Sequence, residues 1–226
     1  MTYGEIYDEI CENVWPGVAA IPENMPAILR NRIKQAQRMI NRDYNFWFSL
    51  DVATITTAAS VQSYALPADF KEIEKCYFTV DGQSYGTPIL SQLDLTDHLD
   101  RGLHESVYET EYPNQFRIDG MYLYFYPVPS EIRVLNILYW KFLPLVTTTT
   151  DAAFRAFAED DIGLYCAEAL IAYVSMRIKL MQNEWQAATM YKELFVESIE
   201  GARQEDKVRR SIPEAIAPYI GNSTSY

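Results

Sequence analysis

Chemistry in this chain would have to come from a small set of side chains. The two histidines, His98 and His104, sit in DLTDHLDRGLHE beside Asp94, Asp97 and Asp100, residue types that ligate metal ions. A spacing of six positions between the histidines does not set two ligands on one helical face, and no second cluster completes a tetrahedron. The stretch reads more simply as a solvated acidic connection. Glu159-Asp160-Asp161 is a carboxylate run near the start of a long helical pattern, where negative charge interacts well with the helix dipole. Capping is its expected role, ahead of acid–base catalysis. The sequence has no phosphate-cradling glycine loop, no GxSxG and no HExxH. Ser, Cys and His gather into no nucleophile pattern, although a spatial triad can escape a linear reading. No catalytic residue, metal ligand or cofactor is therefore assigned.

Charge and composition narrow the partners. The net charge of −12 argues against wrapping DNA or RNA, which needs clustered Lys and Arg. It leaves room for a surface that DNA passes without sticking. Residues 51–150 hold 13 acids against 6 bases, so −7 of the −12 lies there. Asp94, Asp97, Asp100, Glu105, Glu109 and Glu111 concentrate it; turned inward in a ring, they would repel phosphates. A soluble outer surface explains them as well. Arg30, Lys34 and Arg38 form a basic stripe at helical spacing, to be read as pairing with Glu5, Asp8, Glu9 and Glu12 or as a face offered to an acidic partner. The 17 tyrosines favour half-buried and interface positions. Cys11, Cys76 and Cys166 are far apart and odd in number, as reduced core thiols in a cytosolic setting would be. The start, MTYGEIYDEICENV, is acidic and amphipathic, unlike a signal peptide. The apolar run IGLYCAEALIAYVSMRIKL contains Glu168 and Arg177, which suits a buried helix better than a membrane span.

The elements that must position these groups follow the order helix, strands, helix. Residues 2–14 form a helix with Thr2 as N-cap, stopped by Trp15-Pro16-Gly17. A second runs from about Asn24 to Asp43, with Leu29, Ile33, Ala36 and Ile40 as its seam. Period-two patterns then place strands at 47–54, 61–66, 73–80, 115–118, 121–126 and 132–142, with a short helix over 91–104. In the strand Met121–Tyr126, Met121, Leu123 and Phe125 should face the core, while Tyr122, Tyr124 and Tyr126 face a second sheet or another protein. Two long helices close the pattern, at about Ala153–Leu180 and at Asn183–Arg209 with Asn183 as N-cap. The fold class is α+β: a helical bundle from 1–46 and 151–210, a β-rich, sandwich-like insertion at 47–150, and an extended arm at 211–226. The arm has two prolines, a glycine, one charge and several large apolar groups without period.

Two stretches carry a resemblance. Tyr64-Ala65-Leu66-Pro67-Ala68-Asp69-Phe70 fits the pattern YxLPxDF, and Phe116 through Pro129 fits FxIxGxxLYFxPxP. With the order of helices and strands over residues 2–210, the chain resembles the head-to-tail adaptor (connector) proteins of tailed bacteriophages, especially short-tailed ones. The resemblance implies a non-enzymatic virion subunit, assembled in the host cytoplasm, in a ring of twelve copies below the portal protein. It implies contacts with neighbouring copies, the portal and a downstream tail or nozzle protein, double-stranded DNA passing without specific binding, and no membrane. Contact residues do not carry over from the motifs. Composition places portal contacts at Ile212, Pro213, Ile216, Pro218, Tyr219, Ile220 and Tyr226, a helix contact face at Arg30, Lys34 and Arg38, lumen-facing acids at Asp94, Asp97, Asp100 and Glu105, and a tail-facing strand at Tyr122, Tyr124 and Tyr126. The alternatives are a phage hydrolase, with a site such as His98 or Asp97, and a small host-directed binding module.

Overall fold

Thr2 opens the first helix, α1 (Tyr3–Val14), with a reciprocal cap: its hydroxyl accepts from the Glu5 N–H, and the Glu5 carboxylate accepts from the Thr2 N–H. The computed structural model describes residues 2–17, 25–79, 91–92, 109–147, 150–157 and 160–210. They belong to two units. One takes its described residues from Met1–Phe48 and Leu143–Tyr226, the other from Ser49–Phe142.

In the first unit α1 is followed by α2 (Met25–Asp43), α3 (Asp151–Arg155), α4 (Asp161–Tyr165), α5 (Ala167–Met181) and α6 (Trp185–Arg210). The apolar seams close on one core: Tyr3, Ile6, Tyr7 and Ile10 of α1 meet Leu29, Ile33, Ala36 and Ile40 of α2 and Leu170, Val174 and Ile178 of α5. α5 packs against α1, α2 and α6, so it is buried on most of its circumference. The single helix expected over 153–180 is broken twice. The Thr150 hydroxyl caps α3, and the Asp160 carboxylate restarts the chain by accepting from the Gly163 N–H at 2.6 Å. Cys166 then leaves helical geometry between α4 and α5. Asn183 is not the N-cap of the last helix. It takes φ +61°, a left-handed conformation that asparagine tolerates, and the helix begins at Trp185. Lys179 tightens this corner, donating to the Glu184 carboxylate at 3.0 Å and to the Val14 carbonyl at 3.1 Å. Gly4 is required by close approach: a Cβ there would lie 2.8 Å from the Arg155 carbonyl oxygen.

The second unit holds nine strands: β1 (Leu50–Thr56), β2 (Ser63–Ala65), β3 (Phe70–Phe78), β4 (Ser91–Gln92), β5 (Glu109–Thr110), β6 (Gln115–Asp119), β7 (Tyr122–Tyr126), β8 (Val128–Pro129) and β9 (Val134–Lys141) among the described residues. The order β1-β9-β3 makes an antiparallel sheet. A second sheet runs β2-β7-β6-β4, with β4 parallel to β6, and β5 pairs with β8. One core joins both larger sheets: Phe70, Cys76, Phe78, Leu135, Ile137 and Tyr139 from the first, Phe116, Leu123 and Phe125 from the second, with Leu66 beside them. The strand expected from Trp47 begins at Leu50, because Trp47–Ser49 form a 3₁₀ turn. There Phe48 stacks on Phe46 and on Tyr165, with centroids 5.1 and 5.0 Å apart, and Trp47 meets Tyr165 edge-on. The β6–β7 turn is Gly120-Met121, one residue later than expected, since Asp119 pairs with Tyr122. Gly120 supplies the positive φ of +60° that a tight hairpin with glycine first needs. Of the helix expected over 91–104, Ser91–Gln92 are strand, and the rest lies outside the described residues.

Candidate interaction surface

A part-buried polar cluster joins several helices of the helical unit. The Tyr3 hydroxyl donates to Asp160 Oδ1 at 2.8 Å, and Gln37 Nε2 donates to Asp160 Oδ2 at 2.9 Å and to the Tyr3 oxygen. The Gly163 N–H also donates to Asp160 Oδ1. Burial, then the neighbouring Asp160 carboxylate, pushes the Tyr3 phenol far above its ordinary value. It therefore stays protonated and acts as a donor. The cluster ties α1, α2 and α4 to one carboxylate, which suits a joint rather than a reaction centre. Burial pushes the Cys76 thiol up to about 12, and burial together with Asp160 does the same to Cys166. Neither thiol offers a thiolate at neutral pH. Among the described residues no group of three or more His, Cys, Asp or Glu is placed to hold a metal ion.

The surface is more informative. α6 buries a narrow seam, Ala188 and Ile199, with Tyr191, Phe195 and Ala202 half-buried beside them. The rest of the helix is exposed and carries large apolar groups: Trp185 (65 % exposed), Met190, Leu194 and Val196 (52 %). Beside it lies an open groove of about 860 Å³ between α6 and the α4–α5 junction, lined by Leu164, Glu168, Leu194, Glu197, Gly201 and Glu205 among others. The sequence pattern missed this face. Its signal was available: Trp185, Met190, Leu194 and Val196 fall off the 188–191–195–199–202 seam, so an apolar residue there has no core to enter.

The tyrosine strand separates as alternation demands, with one correction. Leu123 and Phe125 are fully buried, whereas Tyr122 is 51 % exposed and Tyr124 and Tyr126 are half-buried. Met121, expected on the core side, is exposed because it occupies the turn. The Arg117 guanidinium lies 5.2 Å from the centroid of the Tyr124 ring, on the neighbouring β6. Tyr and Arg on one sheet face are the residue types that anchor protein interfaces.

On α2, Arg30 and Lys34 are half-buried, while Arg38 is exposed. The outermost ridge of that helix is Ala27, Asn31, Gln35, Arg38 and Arg42. Asp8 of α1 pairs with Arg155 of α3 at 2.7 Å, not with this stripe. Asp94, Asp97, His98, Asp100, His104 and Glu105 lie outside the described residues, as do Ile212, Pro213, Ile216, Pro218, Tyr219, Ile220 and Tyr226. No described helix is long and apolar enough to cross a membrane.

No curated protein matches the chain. A family model, described as SU10 adaptor protein, matches it over residues 1–216, all but the last ten positions. That family is one of phage structural proteins, in keeping with a chain whose distinctive features are a helical joint and unpartnered faces. The chain belongs to the SU10 adaptor family of phage head-to-tail adaptor proteins.

Proposed function

We propose that this protein is a structural subunit of a phage neck ring, joining the portal to the tail and forming part of the DNA conduit. The ring has twelve copies, sits in the virion below the head, and is assembled in the host cytoplasm. The helical unit, a bundle, docks on the portal and on neighbouring copies. The β unit, a sandwich-like insertion, turns Tyr122, Tyr124 and Tyr126 toward the next tail component. Residues 211–226 lie as an extended arm along the portal, held by Ile212, Pro213, Ile216, Pro218, Tyr219, Ile220 and Tyr226. Asp94, Asp97, Asp100 and Glu105 face the bore, where like charge keeps passing DNA from sticking. No chemistry is performed; the chain acts by fitting between copies and a larger neighbour.

The observation that carries this reading is the family match across residues 1–216. The exposed apolar length of α6 supports it, since a face of that kind marks an interaction site. The test is to mix the full chain with rings of a candidate portal and measure the mass of the product. The expected result is a discrete larger complex that is lost when 211–226 are deleted. A chain that never joins a portal ring, yet turns over an envelope polymer in a way that depends on His98 or Asp97, would establish the hydrolase reading instead.

A further inference from the structure

The groove beside α6 has three features that nothing within the described chain explains. Its walls expose Leu164 and Leu194, 48 and 43 % exposed. Its charged lining groups are Glu168, Glu197 and Glu205, with no Lys or Arg among the lining residues. Its wall also includes Gly201, in the interior of the 26-residue α6. Glycine weakens a helix interior, so its presence calls for a reason. A Cβ on Gly201 would meet nothing within 4 Å among the described residues, and its φ is not in the left-handed region. Neither packing inside the chain nor backbone geometry requires it. A partner backbone lying close across α6 would.

The geometry points to α2 of a second copy of this chain as the occupant. The inference rests on the ring reading and names the contact that builds it. Charge carries the choice. In a chain of net charge −12, α2 holds five Lys and Arg against one Asp, a net of +4. Its outer ridge begins with small or uncharged groups, Ala27, Asn31 and Gln35, and ends in Arg38 and in Arg42, which pairs with Asp43 of the same helix. A ridge at helical spacing of three and four fits the groove beside another helix. The small groups suit the open wall at Gly201, and Arg38 suits the glutamates. The arm 211–226 fits less well, because its one charge is the acid Glu214. Groove and ridge share no residue, and a contact that uses the groove of one copy and the ridge of the other is heterologous. Repeated from copy to copy, such a contact closes into a ring when the rotation allows, and otherwise extends as a filament.

The test uses the full chain and three exposed-site variants, Arg38→Glu, Glu197→Lys and Gly201→Leu, read by native mass measurement and thermal melting. Wild type is expected to assemble at high concentration and low salt. Each single variant is expected to remain monomeric while melting no lower than wild type. An equal mixture of Arg38→Glu and Glu197→Lys is expected to recover assembly, because every contact in an alternating oligomer is again complementary. Gly201→Leu is expected to block assembly by filling the groove. Wild-type assembly that persists in both charge variants overturns this contact alone and leaves the ring reading standing. So does a mixture that fails to recover assembly. Wild type that stays monomeric at every concentration also overturns the contact, whereas the ring reading falls only if mixing with the portal fails as well.

Discussion

Asp160 shows how much one side chain can carry. It caps α4 and accepts from Tyr3 and Gln37, so three donors from three helical segments depend on two oxygens. Asp160→Ala would leave the Tyr3 hydroxyl and the Gly163 N–H without their acceptor and Gln37 with the Tyr3 oxygen in place of two acceptors, at about 1–3 kcal/mol for each unsatisfied group before relaxation. A loss of about 3 kcal/mol or more in denaturant unfolding is expected, against roughly 1–2 kcal/mol for Tyr3→Phe, which removes one hydroxyl. The buried titrating groups also set an alkaline limit. Tyr139, desolvated and donating to Asp69 at 3.0 Å, is pushed from 10.0 up to about 12, and Cys76 and Cys166 rise from 9.0 to about 12. Each folded-state value is raised, so their contribution is fully present below pH 9 and is lost as pH rises toward 12. Thermal midpoints should therefore fall across that window. The last phenols to ionise in a tyrosinate absorbance titration should do so together with unfolding. The capping role of Asp160 was legible from its place before an apolar run; its bonds to Tyr3 and Gln37 were not, since those residues are 157 and 123 positions away.

At the scale of elements, periodicity reported what each segment buries but not where it breaks. The α2 seam read from the sequence, Leu29, Ile33, Ala36 and Ile40, is the one that is buried. The pattern over 162–180 is apolar on most sides, so it gives little period against which the break at Cys166 would show; the earlier break falls at the carboxylates 159–161, and local capping divides the segment into three helices. Two glycines make opposite predictions. Gly4→Ala would press a Cβ to 2.8 Å from the Arg155 carbonyl, and α1 would have to move off α3, costing about 1–3 kcal/mol. Gly201→Ala adds a Cβ to open space in a helix interior and should stabilise by about 0.5–1 kcal/mol. Parallel urea titrations of the two variants check both signs.

On the scale of the whole molecule, the helical and β units have separate cores, and the chain enters and leaves the β unit at neighbouring points, since Leu50 pairs with Trp140. Residues 49–142 expressed alone should therefore give a cooperative thermal transition and a strand-type circular dichroism spectrum; a spectrum of an unfolded chain would show that the insertion depends on the helices. The sequence by itself determined the α+β class, the order of elements, the hydrophobic seams and the absence of a recognisable catalytic motif, because these follow from local period, capping and turn chemistry. Tertiary structure alone decided that Asp160 joins three helices and that Leu164 and Leu194 come to line one groove. Those outcomes depend on which segments far apart in the chain meet, and side-chain spacing within one segment holds no record of that.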